Sequence, residues 1–257
     1  MKKRVLIKCG GSVLEELSPD FFSSVHELRK QGYGIVIVHG GGPDINQMLK
    51  TLNIEPEYVD GLRKTDEKTL AVVEMVLSGQ TNRKLVKMLA EHDLPAIGLN
   101  GSDAHLLQGD FVDKDRLGYV GEIKNVNKEL LEDLLEKNLI PVITPIAITE
   151  DGTKLNVNAD YAATAVANAL QVDHCLFVTD VDGIIINGKV RKAIPLGEVN
   201  DYIAKGEIYG GMIPKVTSAI KAIRKGIDSV RIVAGRKSFF HNNEWFGTKI
   251  YEKERVV

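Results

Sequence analysis

Short apolar runs alternate along the chain with longer segments in which apolar residues recur at helical spacing. Six of these runs are rich in β-branched residues and are bounded by glycine or polar residues, which is typical of buried strands. The six runs are Val5–Cys9, Ile35–Val38, Ala96–Leu99, Ile140–Thr144, Cys175–Thr179 and Val230–Ala234. Continuous apolar strands that alternate with helices predict an α/β protein with a mostly parallel central sheet sandwiched between helices.

Capping residues mark the helix boundaries. Ser18 and Pro19 predict the start of the first helix, and Gly32 predicts its end. Three further helices are predicted: 65–92 with an interruption at Gly79, a short leucine-striped helix capped by Asn127, and 215–225 ending at Gly226. In each case apolar residues recur every three or four positions, which indicates one buried face.

Three turns join apolar runs closely enough to form β-hairpins. Asp151-Gly152 and Asn187-Gly188 lie between apolar or β-branched stretches, and pairs of this kind favour tight hairpin turns. A third hairpin is expected around 118–123. The chain has no internal repeat and no Pro/Ser-rich linker, so we expect one continuous domain, 1–257, with two lobes that meet near residues 170–175.

Composition and charge exclude several classes of partner. The chain has 257 residues, 44% hydrophobic and 26% charged, with a formal net charge of −2. This charge gives no overall attraction to nucleic acid or to an anionic membrane, so we expect neither as a partner. No apolar run approaches the roughly 18 residues of a membrane helix, and the apolar stretch near the start, about five residues, is too short for a signal peptide. We therefore expect a cytoplasmic protein, in which Cys9 and Cys175 are buried thiols.

Two glycine-rich turns follow predicted strands. Gly10-Gly11 follows the first strand, and Gly40-Gly41-Gly42-Pro43 follows the second, directly after His39, which we expect to be structural. Glycine turns at strand ends expose backbone N–H groups, which form anion sites with a following helix. The second turn lacks both the Gly-Lys-Ser/Thr of a P-loop and the spaced glycines of a dinucleotide site. The turns predict bound phosphate, although an ordinary strand–helix turn fits the same residues.

Four charged residues stand beside these turns or near helix starts. Lys8 ends the first strand and either faces phosphate or extends to water. Asp160 is either a first-turn residue that the helix dipole favours or an anchor for lysine ammonium groups. Lys215 opposes the dipole of its own helix, which predicts an anionic ligand unless the side chain is simply solvated. Arg63 either grips a carboxylate as a bidentate fork or is an ordinary loop arginine.

Five segments, taken in order, resemble the amino acid kinase family. Its K-x-G-G-S turn is similar to Lys8–Ser12, and its second glycine loop is similar to 38–42. The more specific marks are Asp60-Gly61-Leu62-Arg63-x-Thr65, Asn156-Val157-Asn158-Ala159-Asp160 and Gly211-Met212-Ile213-Pro214-Lys215. The resemblance runs from Lys8 to Lys249 and therefore covers almost the whole chain.

The resemblance implies the amino acid kinase fold and an ATP-dependent transfer of the γ-phosphoryl group to the side-chain carboxylate of N-acetyl-L-glutamate, a step of arginine biosynthesis. Lys8 and Lys215 would stabilise the moving phosphoryl group, and Asp160 would hold both lysines. Residues 1–172 would bind the acyl acceptor, and residues 173–257 would bind ATP. The substrate ligands would be Gly10, Gly11, Gly41, Gly42, Arg63 and Asn156. The nucleotide ligands would be Asp180, Val181, Asp182, Gly183, Ile184, Ile185, Glu207, Ile208 and Tyr209.

The resemblance further implies Mg²⁺ carried on the ATP phosphates, with no protein residue assigned as a metal ligand. It also implies a homodimer. Arginine-inhibited hexameric members carry an N-terminal helix, whereas Lys8 lies eight residues from the start of this chain, which favours a dimer without arginine feedback. No general base is expected, since a carboxylate acceptor with a pKa of about 4.3 is already ionised at neutral pH.

Two other functions stay open at this point. A related kinase acting on a carrier-linked amino-adipate or on another carboxylate would use the same residues. A catalytically silent sensor of an amino acid or nucleotide would keep the fold, although the presence of both lysines and Asp160 argues against it. A dinucleotide-dependent oxidoreductase is disfavoured because the spaced-glycine fingerprint is missing.

Overall fold

The computed structural model of the chain describes residues 3–252, so the two ends of the predicted domain, 1–2 and 253–257, lie outside the described residues. All six runs predicted as strands form strands of one sheet. The strands are β1 (Arg4–Cys9), β2 (Gly34–His39), β3 (Tyr58–Val59), β4 (Leu62–Arg63), β5 (Ala96–Asn100), β6 (Leu107–Phe111), β7 (Val120–Val126), β8 (Ile140–Thr144), β9 (Ile146–Ile148), β10 (Lys154–Val157), β11 (His174–Thr179), β12 (Ile185–Ile186), β13 (Lys189–Val190), β14 (Ala193–Pro195), β15 (Ser229–Ala234), β16 (Phe240–His241), β17 (Glu244–Trp245) and β18 (Thr248–Tyr251).

The central sheet has eight strands in the order β14-β18-β15-β11-β1-β2-β8-β5. All of its pairings are parallel except that of β18 with β15. This confirms the predicted mostly parallel sheet. The strand β1 sits at its centre between β2 and β11, so strands from both predicted lobes belong to one sheet.

Helices cover both faces of this sheet. They are α1 (Pro19–Lys30), α2 (Gly42–Thr51), α3 (Glu67–Glu74), α4 (Asn82–Glu91), α5 (Lys114–Leu117), α6 (Lys128–Glu136), α7 (Ala159–Leu170), α8 (Leu196–Ala204) and α9 (Met212–Arg224), with 3-10 helices at Gly11–Glu16 and Asp103–His105 and a π-helix at Met75–Thr81. The π-helix joins α3 to α4 and contains Gly79, so the predicted interruption is a widened turn rather than a break. The last helix begins at Met212, three residues before the predicted start.

Side-chain caps start the helices as predicted. The Ser18 hydroxyl accepts from the Phe21 backbone N–H, and Pro19 follows as the first helical residue. The Asn127 side chain caps α6, and Leu131 and Leu135 of the apolar stripe of this helix are buried. Each cap satisfies a backbone donor that has no partner within its own helix, which fixes where the helix begins.

Two of the three predicted hairpins form as expected. The turn at Asp151-Gly152 joins β9 to β10, and Asn187-Gly188 joins β12 to β13. The third prediction, around 118–123, is wrong, because residues 120–126 form the strand β7, which pairs with β6. The reversal lies earlier, where Asp113 caps the one-turn helix α5 and Gly118 leaves it with φ of 69°. The strands β6, β7, β9 and β10 close into a small barrel beside the central sheet.

The alternation of side chains along β1 divides the core into two clusters. Val5, Ile7 and Cys9 pack in the cluster that includes α1 and α4, whereas Leu6 packs in the cluster that includes α6, α7 and α9. Lys8 lies two residues after Leu6, so its side chain points to the same face of the sheet, which α7 covers.

Within residues 3–252, none of the helices combines the length and apolar character needed to cross a membrane.

A buried polar network anchors the turn that follows β2. The His39 side chain is fully buried, with its Nδ1 3.1 Å from the Gly40 carbonyl oxygen. Its Nε2 accepts from Asn82 Nδ2 at 3.1 Å and lies 3.2 Å from the Thr144 hydroxyl. Burial lowers the pKa of His39 to about 4, so the ring is neutral at physiological pH. His39 therefore acts as the structural residue that the sequence predicted.

We expect this neutral histidine to make the free energy of unfolding depend on pH. Unfolding raises the pKa of His39 from about 4 to its ordinary value of 6.5. Between these values the unfolded chain binds more protons, so the stabilisation is complete above pH 6.5 and is lost as the pH falls towards 4. His39→Gln should lower the slope of unfolding free energy against pH by up to about 1.4 kcal/mol per pH unit.

Urea unfolding of both proteins at a series of pH values between 4 and 6.5 measures this slope. Burial also lowers the pKa of His174 to about 4, so part of the slope should persist in the variant. His105→Gln, which replaces an exposed histidine, is the matched control. An unchanged slope in His39→Gln would contradict the assignment of a buried neutral ring.

Candidate active site

Lys8 and Asp160 form an ion pair at the carboxyl end of β1. The Lys8 ammonium lies 2.8 Å from Asp160 Oδ1, and the two side chains are 17% and 21% exposed. Lys8 reaches this position because side chains alternate along β1 and its own points to the face covered by α7. Asp160 lies in the first turn of that helix. A lysine in a buried strand is costly without a partner, and this carboxylate supplies one.

The Asn158 side chain determines where α7 begins and so where Asp160 lies. Its oxygen accepts from the backbone N–H groups of Asp160 and Tyr161, as expected of an N-cap. The second carboxylate oxygen, Asp160 Oδ2, accepts from the Ser218 hydroxyl at 2.8 Å. Asp160 Oδ1 therefore contacts Lys8 as an ion pair without a hydrogen bond, and Oδ2 accepts a hydrogen bond from Ser218.

Lys215 lies near the start of α9 and contacts a different carboxylate. Its ammonium donates to Asp180, which follows the end of β11, and this bond holds the pKa of Asp180 below its ordinary value. The structure thus does not bring Lys215 to Asp160, contrary to the expectation that Asp160 holds both lysines. The reason is local: Ser218 occupies the free oxygen of Asp160, while Asp180 lies within reach of Lys215.

The two predicted glycine turns lie against each other. A Cβ atom on Gly11 would lie 2.6 Å from the Gly41 Cα atom, a separation that real Cβ atoms do not show. A Cβ on Gly41 would lie 2.5 Å from Leu77 Cδ2. By contrast, Gly10 and Gly42 have room for a methyl group, with the Lys8 ammonium 3.9 Å from the position of a Gly10 Cβ. Close packing against the backbone therefore requires glycine at position 11, whereas a side chain at position 41 would displace the Leu77 side chain.

A cavity of about 200 Å³ lies beside these turns and contains four of the six predicted substrate residues: Gly41, Gly42, Arg63 and Asn156. Gly10 and Gly11 lie in the adjoining turn and do not line it. Tyr58 and Leu62 also line it, and no motif in the sequence had indicated a binding role for them. Asn156 is fixed in the wall because its Nδ2 donates to the Thr65 hydroxyl at 3.0 Å.

Arg63 is a buried cation without an anionic partner. Its side chain packs over the Tyr58 ring, and Nη2 donates to Asn46 Oδ1 at 2.6 Å. Its Nη1 is buried without a hydrogen-bond partner, and no carboxylate within residues 3–252 lies within 4 Å of the guanidinium. Burial lowers the pKa of Arg63 below its ordinary value. An anionic group in the cavity would compensate this desolvated charge.

A second cavity, of about 260 Å³, contains seven of the nine predicted nucleotide residues. They are Asp180, Val181, Gly183, Ile184, Ile185, Glu207 and Tyr209. Gly211, Met212 and Lys215 complete the lining, and Met212 had no role assigned from the sequence. The Glu207 Oε2 atom is buried without a hydrogen-bond partner. Apolar walls with a few polar groups are the usual features of a small-molecule site.

Two of the nine predicted residues do not line this cavity. The Ile208 side chain is 1% exposed and belongs to the hydrophobic core. Asp182 faces another cavity, of about 230 Å³, where its carboxylate pairs with Lys237. Both residues lie in bends and not in a regular strand or helix, so their side chains need not follow those of their neighbours.

The Lys8–Asp160 pair lies between the two cavities. Asn158 and Ala159, which line the first cavity, directly precede Asp160. Lys215, which lines the second, is three residues from Ser218, which bonds Asp160. The Lys8–Asp160 pair is therefore connected with the linings of both cavities, and two ammonium groups are the kind of charge that stabilises a transferring phosphoryl group.

Other reactive groups are placed away from this chemistry. Burial raises the pKa of the Cys9 thiol to about 12, so it stays protonated and is not a nucleophile at neutral pH. Cys9 and Cys175 are both free, buried thiols, as predicted. Across residues 3–252, histidine, cysteine, aspartate and glutamate side chains nowhere gather in a group of three that could hold a metal ion. A larger cavity, of about 1120 Å³, lies along α7 and β7 and contains none of the predicted site residues.

Several known proteins are similar to this chain in sequence and fold. The chain is 50% identical over 256 residues to the acetylglutamate kinase of Geobacillus stearothermophilus, an alignment that covers all of this chain and 99% of that protein. It is 48% identical over 257 residues to the acetylglutamate kinase of Bacillus pumilus, with all of both chains covered. The crystal structure of smu.665 from Streptococcus mutans UA159 superposes with a TM-score of 0.84 at 34% identity, over 98% of this chain and all of that one.

The description of the matching family model is "Amino acid kinase family", and the match spans residues 3–234. These residues contain both glycine turns, both lysines and both cavities. Because the match covers most of the chain, and relatives near half identity align with it from end to end, the chain belongs to the amino acid kinase family.

Proposed function

We propose that the protein phosphorylates the side-chain carboxylate of N-acetyl-L-glutamate with ATP, giving N-acetylglutamyl 5-phosphate, the second step of arginine biosynthesis. The observation that carries the reaction type is the Lys8–Asp160 pair between a cavity with an unpaired arginine and a cavity with apolar walls. The full-length relatives named acetylglutamate kinase support the identity of the acceptor.

The proposed reaction balances without a general base. A carboxylate oxygen of the acceptor attacks the γ-phosphorus, the bond from that phosphorus to the bridging oxygen breaks, and ADP leaves with the electron pair. Lys8 and Lys215 stabilise the negative charge on the transferring group, and the backbone N–H groups of the glycine turns donate to its oxygens. Asp160 orients Lys8 and neither gains nor loses a proton.

The two cavities suggest that the two halves of the chain bind different substrates. The residues around the first cavity lie between 40 and 159, which supports acceptor binding by residues 1–172. The residues around the second lie between 180 and 215, which supports ATP binding by residues 173–257. In this proposal Arg63 and Asn156 bind the α-carboxylate and acetamido groups of the acceptor.

Mg²⁺ is proposed to enter with ATP. The side chains of residues 3–252 form no cluster of three potential ligands, which suits an ion that keeps most of its waters and binds the phosphates. When bound, the ion neutralises charge on the β- and γ-phosphates. Asp180 is the acidic residue of the nucleotide cavity that lies beside Lys215, and it is partly exposed to that cavity.

We also propose that the enzyme acts as a homodimer in the cytoplasm. The strand β5 forms one edge of the central sheet, and all five of its residues are partly exposed. Met75, in the neighbouring π-helix, is 52% exposed. A second copy of the chain would cover this edge, which sheet proteins otherwise have to protect.

The reaction is tested by ADP release from ATP and Mg²⁺ with four separate acceptors: N-acetyl-L-glutamate, L-glutamate, L-aspartate and UMP. Hydroxylamine is included to trap an acyl phosphate as the hydroxamate. We expect turnover and hydroxamate with N-acetyl-L-glutamate only. Absence of turnover with all four would refute the proposal and favour a carrier-linked kinase or a silent sensor.

Removal of either lysine should lower kcat by a factor of about 10² to 10³, the typical effect of losing one charge-stabilising donor. Lys8→Ala and Lys215→Ala are compared with Lys84→Ala, which removes a surface lysine paired with Glu15. Steady-state kinetics and a melting temperature for each variant separate chemistry from folding. Wild-type kcat in Lys8→Ala would show that Lys8 has no catalytic role.

Replacing Arg63 with lysine should weaken acceptor binding while ATP binding is kept. Arg63→Lys retains the positive charge but loses the planar fork, so we expect KM for N-acetyl-L-glutamate to rise about tenfold or more. Arg116→Lys, at a mostly exposed arginine, is the control. An equal rise of KM for both substrates would instead indicate a general distortion.

Light scattering tests the dimer. We expect a mass of twice the 28.3 kDa of one chain, and a monomer mass for Met75→Arg, which places a charge on the proposed contact. Leu52→Arg, at another half-exposed apolar residue, controls for surface charge. A monomeric wild-type protein would exclude the homodimer.

A further inference from the structure

The Ser218 hydroxyl makes an unusual contact for a serine inside a helix. Such hydroxyls commonly bond the carbonyl one turn earlier in their own helix. In this chain Ser23, Thr51 and Thr164 do so, each at a sequence distance of four residues. Ser218 instead donates across to Asp160 Oδ2, 58 residues away, at 2.8 Å. The hydroxyl therefore joins α9 to α7.

The apolar surroundings of this hydroxyl make its direction meaningful. Its helix neighbours Val216, Ala219 and Ile220 are buried in the core cluster shared with α7. Ser218 itself is half-buried, and a hydroxyl on this side of α9 is stabilised by a polar partner. Asp160 is that partner, so the contact explains why the hydroxyl points towards α7.

The contact assigns one oxygen of Asp160 to each neighbour. Oδ1 pairs with Lys8, and Oδ2 accepts from Ser218. The hydrogen bond from Ser218 orients the carboxylate, so that Oδ1, which has no hydrogen-bond partner of its own, forms the ion pair with the Lys8 ammonium. Lys215 is three residues before Ser218 on α9, so the two side chains project on neighbouring parts of one helix surface.

We propose that Ser218 is a positioning residue that fixes Asp160 and thereby sets the placement of Lys8 relative to Lys215. The proposal rests on the phosphoryl-transfer function proposed above. The serine itself touches neither substrate nor the reacting atoms. It acts by holding β1, α7 and α9 together at the point where the two lysines must address one phosphoryl group.

The first test compares Ser218→Ala with Ser218→Thr. Alanine favours the helix and removes only the hydroxyl, whereas threonine restores it. We expect Ser218→Ala to lower kcat about tenfold with KM for both substrates changed less than about twofold, and Ser218→Thr to recover most of kcat. Thr217→Ala, at the adjacent hydroxyl residue on α9, should keep wild-type kcat.

The split between kcat and KM, together with the rescue by threonine, separates positioning from a merely structural role. A lower melting temperature in Ser218→Ala with an unchanged kcat would overturn the proposal.

A double-mutant cycle tests the contact without using activity. Urea unfolding is measured for wild type, Ser218→Ala, Asp160→Ala and the double variant. If the contact is specific, the several-fold effect of Ser218→Ala on the unfolding equilibrium constant should largely disappear when residue 160 is already alanine. Additive effects would overturn the proposal. A wild-type enzyme without turnover would refute the proposed function instead, while the cycle would still report on Ser218.

Discussion

The organisation of the site depends on one electrostatic requirement, a counter-charge for a lysine at the end of a buried strand. The alternation of side chains along β1 places Lys8 on the face covered by α7. The Asn158 cap starts that helix, so that Asp160 lies in its first turn. The ion pair satisfies both charges at a position that is only partly open to solvent. Sheet packing and helix capping, which are structural features, thus determine where the ammonium group lies.

The second constraint is steric and concerns the loops that surround this pair. The turns after β1 and β2 approach so closely that Gly11 has no room for a side chain, and Gly41 packs against the Leu77 side chain. The neutral His39 side chain anchors the second turn through hydrogen bonds with Asn82 of α4 and Thr144 of β8. Backbone N–H groups are therefore presented on rigid supports, as a site for anionic groups requires.

Much of this architecture could be predicted from local sequence, and the exceptions have physical reasons. The six predicted strands are continuous apolar runs, and Ser18 and Asn127 are strong caps, so their positions followed from local pattern. The strands β14 and β18, the last two at one end of the sheet, are short and only partly apolar, so their pairing depends on tertiary contacts. The same limit applies to the site: motifs indicated Lys8, Asp160 and Lys215, but only the fold shows that Asp180 holds Lys215 and that Ser218 contacts Asp160.

The two lysines differ in how firmly the protein holds them, and this difference gives them different parts in ligand binding. Asp160 is 21% exposed and has both oxygens engaged, so Lys8 is fixed before any ligand arrives. Asp180 is 54% exposed, and ion pairs at such sites contribute little to stability. In the proposed reaction, the phosphates of a nucleotide in the adjoining cavity would replace Asp180 as the partner of Lys215 at small energetic cost. Lys8 would then define the position of the transferring group, and Lys215 would be available to follow the nucleotide.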